Sequence, residues 1–336
     1  MSDFLTSYGL FLAELLTLLI ALAGLVVLAA YLVLITRRRS RGRVGLQVRS
    51  LNRRYDEMAR AVRAQVLPKR TFKRELKTER RRLRAEAKER EALGPGDRRP
   101  RLFVLDFQGD LRASQVGALR QEVTALLTTA GPRDEVLVRL ENTGGLVHDH
   151  GLAASQLLRL TERGIRLTVA VDKVAASGGY MMACAADRIL AAPFAVVGSI
   201  GVIAQVPNFH RLLDRHGVDY EQFKGGEFKR TVTMFGRTTQ EEREKLTEEI
   251  QDVHALFKEF VAARRPQLDI EVTATGEHWY GARAVTLRLV DELVTSDDYL
   301  MANRDRVDIY EVRYGRPRSP AARLTSLAAS LTNSLA

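Results

Sequence analysis

Apolar and polar residues follow two alternating spacings along the region from about residue 101 to 312. Largely apolar runs predict strands at 102–107 and 135–140, and an alternating apolar run predicts a buried strand at 165–171. Apolar residues three and four positions apart predict helices at 113–129 and 151–163. Strands that alternate with helices indicate an α/β fold with a mostly parallel sheet, whose functional sites gather at the carboxyl ends of the strands.

Two later stretches have apolar patterns with more than one interpretation. Residues 189–206 carry no charge and have the composition of a membrane span, but Pro193, Gly198 and Gly201 interrupt them. We therefore expect buried strands there. Residues 239–264 predict a long helix with one apolar stripe, typical of a packing or protomer-contact helix rather than of a cofactor site.

The N-terminal region contains an uncharged, largely apolar run of 21 residues, from residue 15 to 35. At 1.5 Å per residue this run measures roughly 30 Å, the thickness of a bilayer's hydrocarbon core. A cleaved signal peptide is shorter and has its positive charge in front, whereas here the arginines lie at 37–43. The pattern predicts an uncleaved single-pass anchor within residues 1–36, and its charge bias places the following domain in the cytoplasm.

The net charge of +11 is concentrated behind this run. Between Arg37 and Arg101 there are 24 Lys/Arg and 8 Asp/Glu, so the rest of the chain is acidic. Pro68 divides this basic linker, residues 37–100, into helix-like pieces at 46–66 and 71–92. It is either an exposed spacer or a surface attracted to anionic lipid headgroups. Nucleic-acid binding is not expected, because aromatic residues are sparse.

Composition also sets the outer boundaries and limits the cofactor chemistry. Residues 94–97 (Gly-Pro-Gly-Asp) mark a boundary before a domain at 101–312, and the small, polar tail 313–336 is expected to be disordered. The single cysteine, Cys184, excludes an intrachain disulfide and a cysteine-based zinc site. Without a P-loop or paired carboxylates, we expect no metal and no nucleotide cofactor.

Ser177 is the candidate nucleophile, because it stands between the strand 165–171 and an apolar stretch that predicts a helix. A strand-to-helix corner exposes the Ser Oγ, and the backbone N–H of Gly178 can bind a developing oxyanion. The loop after the strand 135–140 adds the N–H groups of Gly144 and Gly145. Both glycine pairs are also common in plain turns.

A serine needs a base, and the sequence leaves more than one. His148, Asp149 and His150 have the residue types of a triad, but nothing in the sequence brings them to Ser177. His210 opens a predicted helix and is expected to be structural.

A lysine is the alternative base, provided that desolvation keeps it neutral. Lys229 follows a predicted strand, in a glycine-containing turn where Phe223 and Phe228 can shield it. Lys173 and Lys224 compete with it on chemistry alone.

Four motifs in order carry a family resemblance: 142–145 (NTGG), 176–180 (ASGGY), 198–201 (GSIG) and 226–230 (GEFKR). With the N-terminal anchor and the basic linker, the chain resembles the signal peptide peptidase A family, and more closely its SohB branch of bacterial membrane serine peptidases. Thr143 replaces the family's usual proline, and residues 284–291 lack the glycine of a late motif.

The resemblance implies a ClpP/crotonase-like fold of repeated β-β-α units, preceded by the transmembrane helix and the basic helical linker. It implies a Ser–Lys dyad, with Ser177 as nucleophile, Lys229 as general base and Ser199 orienting the lysine. Its oxyanion hole would be Gly144 or Gly145 together with Gly178.

The resemblance also implies a serine endopeptidase of the bacterial inner membrane that assembles into a ring of copies. Its substrates would be membrane-derived or unfolded peptides. It places the catalytic domain on the outer face, against the charge bias, so the membrane side stays open. Two rivals remain: a non-catalytic peptide-binding scaffold with the same fold, and a crotonase-like acyl-transfer enzyme that would bind coenzyme A.

Overall fold

The computed structural model describes residues 45–92, 99–226, 228, 229 and 231–315, together with the isolated positions Thr17 and Gly24. Apart from those two positions, the predicted anchor and the arginines at 37–43 lie outside the described residues, as do the boundary at 94–97 and the tail from 316. Among the helices that are described, none is both long and apolar enough to cross a membrane.

Strands and helices alternate along most of the described residues. In chain order they are β1 (Leu46–Ser50), α1 (Leu51–Val66), α2 (Lys69–Ala92), β2 (Arg101–Gln108), α3 (Val116–Leu127), β3 (Glu135–Glu141), α4 (Val147–Thr161), β4 (Arg166–Val171), β5 (Val174–Ala176), α5 (Gly178–Ala183), β6 (Arg188–Ala191), β7 (Val196–Gly198), α6 (His210–Arg215), α7 (Gln240–Arg264), α8 (Ile270–Thr273), β8 (His278–Tyr280), α9 (Gly281–Ala284), β9 (Glu292–Leu293), α10 (Ser296–Asn303) and β10 (Asp308–Tyr314).

The larger sheet of the described part contains seven strands in the order β1-β10-β2-β3-β4-β6-β9. Its strands are parallel except for β1, which pairs antiparallel with β10 at one edge. A smaller sheet has the order β5-β7-β8. An isolated bridge between Asn142 and Ala175 joins the end of β3 to β5, so the two sheets meet where β3 ends. The α/β architecture predicted from the alternating spacings is confirmed.

The larger sheet is buried on both faces, as is typical of parallel sheets. On β2, Phe103 and Phe107 face one core with α3 and α4, whereas Leu102 and Val104 face a second core with α1 and α10. This alternation follows the two-residue period of a strand. The apolar runs therefore predicted the central strands because neither face of those strands reaches water.

The segment 46–50 is a strand, not the start of a helix as predicted. Leu46 and Val48 alternate with polar residues, which is a strand period, and Ser50 then caps α1 by accepting a hydrogen bond from Arg53 N at 3.4 Å. Asn52 fixes α1 to the chain around β10: its amide donates to Val307 O, and its Oδ1 accepts from Ile309 N at 2.7 Å. This part of the basic segment thus lies within the compact unit Leu46–Tyr314.

The other predicted elements are mostly where the spacings put them. The region 189–206 contains the buried strands β6 and β7, as predicted, and α7 begins with a capping box of Thr239 and Glu242. α4 begins at Val147, four residues earlier than predicted. The strand predicted before Phe223 is wrong, because residues 217–226 form no strand.

Candidate active site

Ser177 occupies a strained corner between β5 and α5. Its φ is 52° and its ψ is −120°, a conformation that non-glycine residues rarely adopt. The backbone holds the corner from two sides, since Ser177 N donates to Gly198 O at 2.8 Å and Ser177 O accepts from Met181 N at 3.0 Å. The residue is half-buried, so its side chain stands at the surface of a fixed backbone.

Gly144 lies directly against this corner. Its φ is +91°, and a Cβ built on it would stand 2.8 Å from Ser177 Cβ and 2.9 Å from Gly178 N. Only a residue without a side chain permits this approach. The structure therefore brings together the two glycine loops that the sequence placed after separate strands.

Asn142 fixes the glycine loop to the smaller sheet. Its backbone N donates to Val174 O at 2.9 Å, and its carbonyl accepts from Ala176 N at 3.0 Å. Its side-chain Oδ1 accepts from Gly144 N at 2.9 Å. The Gly144 N–H is thereby occupied, whereas the N–H groups of Gly145 and Gly178 donate to no other residue of the described chain.

His150 is buried behind the corner rather than in front of it. Its Nδ1 lies 3.0 Å from Leu146 O and its Nε2 lies 3.2 Å from Asn142 Oδ1. A Cβ on Gly178 would stand 2.5 Å from the His150 ring, so the imidazole packs on the backbone of the corner. The ring therefore supports the glycine loop through Asn142.

The triad alternative is not assembled. Within the described ranges, no hydrogen bond joins Ser177 to a histidine, and the His148 side chain is 78% exposed, with its Nε2 3.7 Å from Asp149. The sequence contained a signal for this outcome: His150 shares the inward spacing of Ala153, Ala154 and Leu157 on α4.

Ser199 lies at the end of the strand next to Ser177. Ala176 pairs with Gly198 in the register of β5 and β7, so the residues that follow them are neighbours. Ser199 also has a positive φ, 53°, and its N donates to Glu277 O at 2.6 Å. The smaller sheet thus places two serines side by side on constrained backbone.

Lys229 forms no hydrogen bond with Ser177 or Ser199 among the described residues. The residue is exposed, and its side chain donates no hydrogen bond to any residue that the structure describes; its neighbours Glu227 and Arg230 are outside that part. Phe223 and Phe228, expected to shield it, are 91% and 47% exposed. The pairing of Ser177 with Lys229 stays a prediction.

The two competing lysines are engaged elsewhere. Lys173 Nζ lies 3.0 Å from Glu141, and Lys224 Nζ lies 2.6 Å from Glu242. Neither lysine forms a hydrogen bond with Ser177 in the part of the chain that the structure describes.

Buried polar residues fix α5 to the chain around residues 288–291. Tyr180 OH donates to Leu289 O at 2.8 Å, and the almost fully buried Arg265 donates to both oxygens of Asp291 at 2.8 Å. Cys184 is buried, and burial raises the pKa of its thiol to about 12. In the described part of the chain, no cluster of His, Cys, Asp or Glu has the arrangement of a metal site.

Known proteins resemble this chain along most of its length. Residues 3–157 match the model described as Peptidase family S49 N-terminal, and residues 159–309 match Peptidase family S49. The probable protease SohB of Haemophilus influenzae is 46% identical over 327 residues, which cover 95% of this chain and 91% of that protein. The probable protease SohB of Buchnera aphidicola subsp. Schlechtendalia chinensis is 42% identical and covers 89% of this chain and 99% of its own length.

Among solved structures, a mutant of the membrane-bound stomatin-specific protease 1510-N in complex with a substrate peptide has a TM-score of 0.42 and 12% identity. The aligned region covers 69% of this chain and 99% of the solved chain.

Proposed function

Because the chain belongs to peptidase family S49, we propose that it is a membrane-anchored serine endopeptidase in which Ser177 attacks the scissile carbonyl. The single observation that supports this most is the strained backbone of Ser177 with Gly144 packed against it. A strained residue that the surrounding structure holds in place is typical of functional sites. The α/β core then corresponds to a ClpP/crotonase-like fold.

The oxyanion hole is assigned to backbone N–H groups that donate to no other residue of the described chain. The Gly144 N–H already donates to Asn142 Oδ1. We therefore assign the binding of the oxyanion to the N–H groups of Gly145 and Gly178. The role of Gly144 is then to let the two loops meet. Such donors stabilise the tetrahedral intermediate, which collapses to an acyl-enzyme as the amine leaves.

Lys229 is the general base in this proposal, and Ser199 orients it. A lysine accepts a proton only when it is desolvated and neutral, so an exposed Lys229 must be covered before catalysis. The segment 202–238 carries further exposed apolar side chains, such as Ile203 at 82% and Phe223 at 91%. We propose that copies of the chain cover this segment when they assemble into a ring.

The remaining organisation is proposed from the sequence. We propose residues 1–36 as a single-pass anchor in a bacterial inner membrane and 37–100 as a basic segment whose β1 and α1 pack on the peptidase domain. That domain ends with β10 at Tyr314 rather than at 312, so the predicted tail begins later than residue 313. The substrates are membrane-derived or unfolded peptides. The side of the membrane stays open, and labelling of Leu256→Cys with an impermeant maleimide in intact cells decides it, because Cys184 is buried.

The deciding experiment is hydrolysis of casein or a fluorogenic peptide by the detergent-solubilised chain. Ser177→Ala should abolish cleavage, and Lys229→Ala should lower the rate by about 10²–10⁴-fold. Lys173→Ala and Lys224→Ala are the matched controls and should cleave the substrate at the wild-type rate. Full activity in Lys229→Ala would show that the base is misassigned.

A non-catalytic peptide-binding scaffold is the second candidate, and the exposure of Lys229 favours it. It requires that the chain bind peptides without cleaving them. An inert wild type whose Ser177 is not labelled by a fluorophosphonate probe would support it over the peptidase.

A further inference from the structure

The apolar face of α1 begins in the core and continues into solvent. At its start, Leu51 is 3% exposed and Tyr55 packs against the second core. Met58, Val62 and Val66 follow at four-residue spacing and are 56%, 63% and 74% exposed. One exposed apolar side chain needs no explanation, but a stripe whose exposure increases along a helix indicates a contact surface.

This stripe lies on one arm of a helical hairpin, residues 51–92. After Pro68 the chain turns back into α2, and Arg60 Nε lies 3.3 Å from Glu79 Oε1 across the two helices. A groove of about 850 Å³ between the helices is lined by charged and polar side chains. The polar groove therefore faces α2, and the apolar stripe of α1 has no partner in the described part of the molecule.

The tip of the hairpin is strongly basic. Lys69, Arg70, Lys73 and Arg74 follow Val66 within two turns, are exposed, and form no ion pair with any residue in the described ranges. The whole of α2 has eleven Lys/Arg and five Asp/Glu. Apolar side chains beside unpaired cations are the composition of an interfacial membrane-binding element.

We propose that the hairpin tip, defined as Met58, Val62, Val66 and the cations at 69–74, binds the surface of an anionic lipid bilayer. The apolar side chains enter the boundary between headgroups and acyl chains, while the ammonium and guanidinium groups bind phosphate. The inference goes beyond the proposed peptidase activity and uses only the proposed anchor. Leu46 follows residue 36 by ten positions, which span at most about 35 Å, so the proposed anchor would tether the start of β1 within that distance of its own end.

The test uses the full chain in two kinds of vesicle, phosphatidylcholine alone and phosphatidylcholine mixed with phosphatidylglycerol. A fluorophore is attached at Val62→Cys, and Cys184, 1% exposed, stays unlabelled. Leu256→Cys, on the 58%-exposed position of α7, is the matched control. We expect nitroxide lipids to quench the Val62 label in the anionic vesicles and to leave the Leu256 label bright. Equal quenching in both vesicle types, or none in either, would overturn the proposal.

Charge reversal tests the cations separately. Lys69→Glu/Arg70→Glu/Lys73→Glu should remove most of the quenching at Val62. The control Arg133→Glu/Arg163→Glu/Arg237→Glu makes the same change of net charge at exposed positions elsewhere and should preserve it. Equal effects of the two triples would contradict the proposed contact.

Flotation separates this surface from the anchor. A chain that floats with both vesicle types but keeps its Val62 label unquenched in the anionic vesicles retains the anchor and overturns the hairpin contact. A chain that floats only with anionic vesicles, and detaches in high salt, overturns the anchor and supports the hairpin. Shielding of the label in detergent that grows with protein concentration would assign the stripe to a second copy and overturn the proposal.

Discussion

A Cβ placed on Gly144 would stand 2.8 Å from the Cβ of Ser177, so the glycine loop and the serine corner meet only while residue 144 has no side chain. The positive φ of 91° at Gly144 imposes the same requirement independently of space. Position 144 therefore couples the end of β3 to the end of β5.

Gly144→Ala should remove peptidase activity while the fold persists. The new methyl group forces the loop away from Ser177 and Gly178, and the strained φ adds about 1–3 kcal/mol of destabilisation. Gly151→Ala is the matched control, because its Cβ meets nothing within 4 Å and it lies in α4. That variant should cleave normally and gain about 0.4–1 kcal/mol. Peptide hydrolysis and thermal unfolding measure both, and normal cleavage by Gly144→Ala would contradict the assignment.

The central strands and the helices between them could be predicted from the sequence because each has one dominant period. The runs at 102–107 and 135–140 are largely buried on both faces, so their positions are apolar except for the partly exposed Asp106, Glu135 and Arg139. The strand 46–50 was missed because it lies at the sheet edge, where three of its five residues are exposed and its polar residues resemble those of the following helix.

The site could be predicted only where a local turn specifies it. Consecutive residues specify the Ser177 corner, and consecutive residues specify the glycine loop. The strands before them, β5 and β3, meet at the bridge between Asn142 and Ala175. The support from His150 depends on a contact with Asn142 across the loop, which no spacing specifies. Lys229 lies 52 positions beyond Ser177 in a segment without sheet or long helix, so no period fixes its position.

His150→Leu should impair activity together with stability. The substitution removes the imidazole nitrogens that contact Leu146 O and Asn142 Oδ1, so the glycine loop loses a buried hydrogen bond worth about 0.5–1.5 kcal/mol. The exposed His148→Leu is the control and should change neither property. Loss of activity in His148→Leu with unchanged stability would restore the triad hypothesis.

Arg265→Met should lower the free energy of unfolding by about 3 kcal/mol. Arg265 is 2% exposed and donates to both Asp291 oxygens and to Arg288 O, so its loss leaves the Asp291 carboxylate, whose side chain is 30% exposed, without its cation. The control is Arg53→Met, which breaks an exposed pair with Glu57 and should cost less than about 0.5 kcal/mol. Denaturant unfolding compares them, and equal costs would show that Asp291 does not depend on Arg265.

Glu122 should make folding stability depend on pH. The side chain lies at the end of β10, where it accepts a hydrogen bond from Tyr314 N at 2.6 Å. Burial raises the pKa of Glu122 to about 7 from its ordinary 4.5, the nearby Asp106 carboxylate adds to this, and the Tyr314 N–H and Arg313 oppose it. Between these two values the folded chain keeps the proton while the unfolded chain releases it. The folded state then binds more protons, so its stability must fall as pH rises through this window.

Glu122→Gln should remove that decline. The amide oxygen can still accept from Tyr314 N and carries no charge at any pH, so the variant gains on the wild type by about 3 kcal/mol as pH rises from 4.5 to beyond 7. Glu221→Gln, at an exposed position, should follow the wild type throughout. Thermal unfolding in detergent across this pH range measures the difference. A constant offset between Glu122→Gln and the wild type would mean that Glu122 ionises in the folded chain as it does in water.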